Sequence, residues 1–128
     1  DGFYEWQHAG RSARPFAVAR RDRALLALGA LFERWERGDV ALETCAILTV
    51  PAAGPVQTLH DRMPLLVPRE VWSAWLDPAL RAPPAIAPGA GADALETWPV
   101  DRRVNDVRED DAALLAPERD LFSAGGAR

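Results

Sequence analysis

The stretch GFYEWQ at residues 2–7 places bulky aromatic side chains in alternation with other residues, which predicts a β-strand. A turn is predicted at 10–13, and a second strand begins at 15–18. Residues 43–50 (ETCAILTV) combine β-branched and apolar side chains and predict a further strand. These strands indicate a domain built mainly from β-structure.

The segment 24–35 is ambiguous. Its Ala and Leu content favours a helix, but Gly29 lies in its middle and no capping residue precedes it. A turn at 36–39 follows. After residues 51–55 a short helical or turn element is predicted up to His60. The remaining predicted elements are a strand at 63–67, a short amphipathic helix at 70–76 after Pro68, a loop at 82–92, a strand at 98–107 and a frayed tail from residue 118. Strands with a few short helices predict an α+β, mainly β domain spanning residues 1–128.

The composition argues against several classes of function. The net charge of −4 argues against a strongly basic nucleic-acid binder of the histone or homeodomain type. All 15 basic residues are arginine, which suggests high-GC coding and still allows a local phosphate-binding groove. The one cysteine, Cys45, fits a reducing cytoplasm and is expected to behave as a small core residue. With two histidines, we expect no metal site, and no apolar run is long enough to span a membrane.

Two places carry residues suited to chemistry. Glu5 is an acid within the apolar strand, where it can serve as a general acid or base or simply face solvent. In the second, residues 59–64 (LHDRMP), His60 titrates near neutral pH and Arg62 can hold a phosphate. The plainer interpretation of this segment is a polar turn before a strand.

The order of several motifs adds to these local signals. DGFYEW at 1–6, LGALFERW at 28–35, CAILT at 45–49, HDRMP at 60–64 and WPVDRRVNDVRED at 98–110 follow one another in the chain. This series resembles the SOS-response-associated peptidase (SRAP) family, also described as abasic-site processing proteins. The resemblance implies a mixed or antiparallel β-sheet or a partly open, barrel-like fold with a few short helices. It also implies that the domain is incomplete at its N-terminus, since the chain has no initiator methionine and opens directly into a strand. We expect a fragment or an incomplete gene model.

Members of the family are similar in mechanism. A cysteine exposed by removal of the initiator methionine attacks the ring-opened sugar of an abasic site in single-stranded DNA, giving a thiazolidine crosslink without a metal or cofactor. The resemblance implies that Glu5 and His60 are catalytic, that Thr49 lines the substrate pocket, and that Trp6 and Arg62 contact DNA. Glu5 would transfer protons, and His60 would assist opening of the sugar ring.

Two departures from the family pattern matter. The nucleophilic cysteine and an active-site asparagine would lie in roughly a hundred residues before Asp1. The family commonly has Thr-Glu-Ala-Asn where this chain has Val-Pro-Ala-Ala at 50–53.

We expect a monomeric, cytoplasmic protein that associates with the nucleoid when bound to abasic DNA. Because the nucleophile would lie outside it, we expect this chain alone to be inactive. The alternatives are a non-catalytic single-strand binder and a degenerate remnant.

Overall fold

The computed structural model describes residues 1–118, and the predicted tail, which begins at residue 118, lies outside them from 119 to 128. The described residues form seven β-strands, one short α-helix and five 3-10 helices. All the strand pairs are antiparallel. The prediction of an α+β, mainly β fold is confirmed. No helix among these residues is long and apolar enough to cross a membrane.

The largest sheet begins with the predicted N-terminal strand. β1 (Gly2–Ala9) and β2 (Ser12–Arg20) form a hairpin whose turn uses Gly10 at φ 62°, a left-handed conformation that glycine adopts without strain. β7 (Leu95–Pro99) pairs with the other side of β2, so the strand order is β1-β2-β7. β1 is therefore an edge strand within the described residues.

A second hairpin occupies the ambiguous segment. β3 (Ala30–Arg37) pairs with β4 (Val40–Ile47) around a turn at Gly38. The structure resolves the ambiguity of 24–35 in favour of a strand from Ala30, because cross-strand pairing outweighs the helix preference of Ala and Leu here. Gly29 precedes the strand instead of lying within a helix. A Cβ built on it would meet Leu65 Cδ2 at 3.0 Å and Trp75 Cζ2 at 3.2 Å.

The predicted strand at 43–50 changes its partner at Leu48. The Leu48 amide donates to the carbonyl of Gly29 at 2.8 Å, and its carbonyl accepts from the amide of Leu65 at 2.8 Å. β4 therefore ends at Ile47, and β5 (Thr49–Pro51) pairs with β6 (Arg62–Pro64). The extended segment was correctly predicted, but its division between two sheets was not.

The helical elements are short. The predicted turn element is the 3-10 helix Gly54–Thr58, and the predicted amphipathic helix is a 3-10 turn, Arg69–Val71, leading into α1 (Trp72–Trp75). The strand predicted at 63–67 keeps regular pairing only through β6. The loop predicted at 82–92 holds as far as 91, and the 3-10 helix Ala92–Ala94 follows it.

The strand predicted at 98–107 is wrong in its bounds. β7 ends at Pro99, and the Asp101 side chain accepts a hydrogen bond from the Arg103 amide at 2.8 Å, capping the 3-10 helix Arg102–Asn105. A side chain that caps a helical turn competes with continuation of the strand. The chain comes back to the end of β7 at Glu118, whose amide donates to the Pro99 carbonyl at 2.8 Å.

The core lies between one face of the three-stranded sheet and the segment from the Gly54 helix to Leu66. Its buried members are Val18, Val56, Leu59, Met63, Leu66, Ala92 and Leu95. Val18 and Leu95 come from the sheet, whereas Val56 and Leu59 come from the segment that leads to His60. The core therefore fixes the predicted site segment against β1 and β2.

The β3–β4 hairpin, in contrast, is exposed along both strands. Side-chain alternation divides it into two faces. One face, which we call the hairpin face, carries Leu31, Trp35, Val40 and Leu42, which are 62%, 48%, 61% and 54% exposed. The other carries an ion-pair network of Arg34 with Glu36 and Glu43, together with Phe32 and Ile47, which are 68% and 48% exposed. Cys45 is exposed on β4, so its interpretation as a small core residue is wrong.

Candidate functional site

Glu5 lies at the centre of β1 on the face that meets the core. Phe3, two residues before it, packs against the core, and side chains two residues apart share a face of a strand. Gln7, two residues after it, donates from Nε2 to the carbonyl of Thr58 at 2.8 Å. The half-buried Glu5 side chain is thus on the side of the sheet that faces the 3-10 helix leading to His60.

The Glu5 carboxylate has a local partner at the sheet edge. Its Oε1 accepts a hydrogen bond from the main-chain N–H of Trp6 at 2.7 Å. Because β1 is an edge strand, this contact satisfies a donor that no neighbouring strand among residues 1–118 takes up. The carboxylate is therefore held at the exposed margin of the sheet.

His60 follows the Gly54–Thr58 helix and is fixed by two main-chain contacts. Its amide donates to the Val56 carbonyl at 3.0 Å, and its ring nitrogen Nδ1 accepts from the Arg62 amide at 2.9 Å. When Nδ1 accepts, the neutral ring carries its hydrogen on Nε2. The side chain is 38% exposed, and Nε2 makes no hydrogen bond within residues 1–118.

Asp61 competes for the same ring nitrogen. Its Oδ1 lies 2.9 Å from His60 Nδ1, yet a single nitrogen either accepts one hydrogen bond or donates one. The Arg62 contact suits the neutral ring, and the Asp61 contact suits the imidazolium. The Arg62 donor belongs to the main chain, whereas the Asp61 side chain is 87% exposed, so the Arg62 contact is the more firmly placed of the two.

Arg62 joins His60 to Thr49. Its Nη2 donates to Thr49 Oγ1 at 2.9 Å and to the Thr49 carbonyl at 2.5 Å, and its Nε donates to the same hydroxyl at 3.2 Å. The two residues lie diagonally on the β5–β6 pair, where Arg62 is directly opposite Pro51. The Arg62 main chain and side chain thus connect His60, its neighbour in the predicted motif, to Thr49, which was predicted separately.

Trp6 lies on the opposite face of the sheet from Glu5. Its indole Nε1 donates to Asn105 Oδ1 at 2.8 Å, which ties it to the 3-10 helix after β7. Tyr4 shares this face, and burial, followed by the carboxylate of Asp111, raises its pKa above the ordinary value. The segment that covers this face is held by an ion-pair cluster in which Arg103 contacts Glu109 and Asp111.

Among the described residues, the structure brings His60, Arg62 and Thr49 together by direct hydrogen bonds. Glu5 makes no direct hydrogen bond to them. Its strand neighbour Gln7 bonds the carbonyl of Thr58, which lies two residues before His60. Sequence reasoning missed the contact of Asn105 with Trp6, although Asn105 lies inside a motif that carried the family resemblance. Gln7 was missed as well, because its partner is 51 residues away along the chain.

The loop at 50–53, where the chain departs from the family pattern, is held by the His60 segment. The Ala52 amide donates to the Asp61 carbonyl at 2.8 Å, and the Ala53 amide contacts the Met63 sulfur at 3.3 Å. Main-chain donors of the loop thus contact one main-chain oxygen and one side-chain sulfur of this segment. No group of three or more His, Cys, Asp or Glu side chains within residues 1–118 is placed to hold a metal ion.

Comparisons with known proteins place this geometry in a family. The abasic site processing protein YoaM of Bacillus subtilis is 29% identical over 126 residues, which cover 94% of this chain and 56% of the relative. YedK of Escherichia coli is 30% identical over 122 residues, covering 91% and 54%. HMCES of Gallus gallus is 32% identical over 142 residues, covering 91% and 41%. The chain thus spans about half the length of the curated relatives that it matches.

An X-ray structure of a protein from Bacteroides thetaiotaomicron has the same fold, with a TM-score of 0.73 at 18% identity. The match covers 92% of this chain and 54% of that one. The family model described as SOS response associated peptidase (SRAP) matches residues 1–107, which confirms the resemblance seen in the motifs. Because that match spans well over half of the chain, the protein belongs to the SRAP family.

Proposed function

We propose that this chain is the C-terminal portion of a single SRAP domain that processes abasic sites in single-stranded DNA. Several of its relatives are named abasic site processing proteins. The observation that carries the proposal is the hydrogen-bonded unit of His60, Arg62 and Thr49, which joins a group suited to proton transfer to a cation suited to phosphate. An abasic site offers both counterparts, because its sugar opens to an aldehyde and phosphates flank it.

The proposed reaction is a condensation with an N-terminal cysteine that removal of the initiator methionine exposes. Its amine attacks the aldehyde carbon, and the carbinolamine loses its oxygen as water to leave an imine. The thiolate then adds to the imine carbon and closes a thiazolidine ring. An aldehyde and an aminothiol thus give a thiazolidine and water, with no change in oxidation state. The chemistry requires no metal or cofactor.

The residues of this chain have supporting roles in the proposal. Glu5 transfers protons during methionine removal and imine formation. His60 assists opening of the sugar ring and reversal of the crosslink, using the Nε2 that is left accessible when Nδ1 accepts from Arg62. Thr49 lines the same pocket, beside Arg62.

Arg62 and Trp6 provide the contacts to DNA. Arg62 binds a phosphate, and Trp6 stacks on a base at the junction of single strand and duplex, a combination that binds single strands without sequence preference. Trp6 and Glu5 lie on opposite faces of β1, but both are adjacent to its edge. We therefore propose that the DNA strand passes along this edge.

The proposed nucleophile is not Cys45. This residue is exposed within β4, where its amine is part of a peptide bond and cannot form an imine. We expect the chain by itself to bind abasic DNA without forming the crosslink. A covalent adduct formed by the isolated chain would contradict this assignment.

The hairpin face supports the proposal that the domain continues beyond this portion. Isolated two-stranded hairpins are marginal in water, and this one exposes four large apolar side chains on a face that also carries Glu33 and Arg37. Nearly half of the length of YoaM and YedK lies outside the match. We propose that this remaining part of the SRAP fold packs on the hairpin face.

Hydrogen exchange tests the packing. Amides of residues 30–47 are expected to exchange rapidly in the isolated chain and to be protected when the remaining part of the domain is present. Trp35→Ser should weaken that protection, whereas Phe32→Ser on the other face serves as the matched control. Full protection in the isolated monomer, or protection that depends on chain concentration, would count against this assignment and in favour of self-contained or self-associated packing.

The crosslinking assay tests the activity. A form of the protein that includes the cysteine after the initiator methionine is incubated with a single-stranded oligonucleotide containing one abasic site and run on a denaturing gel. A retarded band is expected, and Cys→Ser at that position should abolish it, while Glu5→Gln and His60→Ala should slow its formation. If no such form exists or no band appears, the crosslinking proposal fails.

The setting of this activity is also proposed. We expect a monomer in the cytoplasm that associates with the nucleoid during the response to DNA damage. Light scattering of the purified protein in solution measures whether it is a monomer. Recruitment of a fluorescent fusion to DNA after damage measures its association with the nucleoid, and a uniform distribution before and after damage would contradict it.

A further inference from the structure

The Arg62 side chain is held on one side and open on the other. Its Nε and Nη2 groups donate to the hydroxyl and carbonyl of Thr49. Within residues 1–118, no acceptor takes a hydrogen bond from its Nη1, and the residue is exposed. One edge of the guanidinium is therefore satisfied by protein, and the amino group at Nη1 remains for a ligand.

The arrangement has a geometric origin in the β5–β6 pair. Arg62 is directly opposite Pro51, and Thr49 is two residues from Pro51 on the same face of the strand. The guanidinium thus reaches diagonally across the ladder to Thr49, a neighbour within range of a long side chain. The Thr49 hydroxyl oxygen accepts two of its N–H groups, and two contacts to one oxygen together with one to the carbonyl fix the plane of the guanidinium.

We propose that Thr49 is a positioning residue that orients Arg62 so that Nη1 binds one phosphate of the DNA backbone. This inference rests on the proposed function, and it gives Thr49 a second role in addition to lining the substrate pocket. An arginine with all five donors free would grip a phosphate through two parallel hydrogen bonds. Here the protein already occupies the Nε and Nη2 edge, so the contact is to a single phosphate through Nη1.

The same residue links this contact to His60. The Arg62 amide donates to His60 Nδ1, so the main chain that carries the phosphate-binding side chain also fixes the imidazole. A phosphate bound by Arg62 would therefore have a fixed position relative to the imidazole of His60. Orientation by Thr49 would place the lesion's backbone relative to His60 without Thr49 touching the sugar.

Two substitutions at Thr49 separate the hydroxyl from the shape of the side chain. Thr49→Val keeps the β-branch and removes the acceptor, whereas Thr49→Ser keeps the acceptor. Affinity for a fluorescent single-stranded oligonucleotide is measured by anisotropy over a series of salt concentrations. Thr49→Val is expected to weaken binding several-fold and to reduce the salt slope by about 0.7, the value for one phosphate contact on a single strand. Thr49→Ser should restore most of both.

Two further variants make the assignment specific. Thr58→Val removes another exposed threonine hydroxyl, which donates to the Pro55 carbonyl, and should leave the affinity and the slope unchanged. In an Arg62→Ala background, Thr49→Val should have no additional effect, because the residue acts through Arg62. An equal loss with and without Arg62, or a Thr49→Ser protein as weak as Thr49→Val, overturns the inference.

A spectroscopic readout keeps this test independent of DNA binding. The Arg62 Nε–H signal should be protected from solvent exchange in the native chain and in Thr49→Ser, and exchange-broadened in Thr49→Val. If no variant binds single-stranded DNA at low salt, the proposed function fails, and this signal still decides whether Thr49 orients the guanidinium. An unchanged signal in Thr49→Val refutes the positioning role.

Discussion

The main-chain N–H of Arg62 donates a hydrogen bond to Nδ1 of His60 at 2.9 Å. The contact spans two residues and closes a turn in which a side-chain acceptor replaces a main-chain one. It also fixes which ring nitrogen carries the hydrogen in the neutral state, and so which nitrogen is offered to a substrate. The turn and the chemistry proposed for His60 thus depend on the same hydrogen bond.

Substitution of His60 separates these two roles. In His60→Asn, the side-chain oxygen can accept from the Arg62 amide as in an Asx turn, so the turn is kept while Nε2 is lost. In His60→Ala, the acceptor is lost too, and we expect a destabilisation of about 1 kcal/mol that His60→Asn does not share. Urea unfolding measures this difference. Both variants should slow crosslinking alike in a form of the protein that includes the N-terminal cysteine. If both unfold at the same urea concentration as the native chain, the turn does not depend on this bond.

Much of the fold could be predicted because its signals are local. The aromatic run at 2–7 and the β-branched run at 43–50 have the composition and alternation of strands, and both are extended in the structure. The segment 24–35 was ambiguous because its Ala and Leu residues favour a helix while Gly29 argues against one, and the strand forms only through pairing with β4. No residue pattern within 24–35 indicates that it pairs with β4.

The candidate site was predictable in a similarly limited way. His60 and Arg62 are near neighbours, so a short motif contained both. The contact of Trp6 with Asn105 joins residues 99 positions apart, and that of Arg62 with Thr49 joins residues 13 apart on different strands. The Arg62 contact depends on the register of β5 and β6, and the Trp6 contact depends on where the 3-10 helix after β7 packs, neither of which one sequence specifies.

Substitution of Gly29 tests whether a glycine is required here because neighbouring side chains leave little room for a Cβ. In Gly29→Ala the new methyl would press on Leu65 and Trp75, and we expect a destabilisation of about 1–3 kcal/mol from overpacking. The double variant Gly29→Ala/Leu65→Ala should show a favourable coupling, because the smaller neighbour makes room. Thermal and urea unfolding of the four proteins of this cycle measure it. Strict additivity would refute the packing explanation.

Asn105 is expected to fix the orientation of the Trp6 indole. Asn105→Ala removes the acceptor of the Trp6 Nε1–H, and because both groups are near the surface we expect a loss of stability of about 1 kcal/mol or less. The indole N–H resonance of Trp6 should shift and exchange faster with solvent. Trp98, whose Nε1 donates to the Leu115 carbonyl at 2.9 Å, provides the internal control and should not move. A Trp6 resonance that stays in place would show that the Asn105 contact does not hold the ring.

Tyr4 gives the chain a predicted loss of stability at alkaline pH. Burial first, and the Asp111 carboxylate second, raise the pKa of its phenol above the ordinary value of about 10. A group whose pKa is raised by folding stabilises the native state below its unfolded pKa, and this contribution disappears as the pH rises through the folded pKa. The free energy of unfolding should therefore fall across that interval, and Tyr4→Phe should flatten the fall. The chain has one tyrosine, so the absorbance of phenolate reports Tyr4 alone. Asp111→Asn should lower the pKa of Tyr4 only in part, because burial is the larger cause. A phenol that titrates at its ordinary value in the folded protein would mean that the segment after β7 does not cover this face of the sheet.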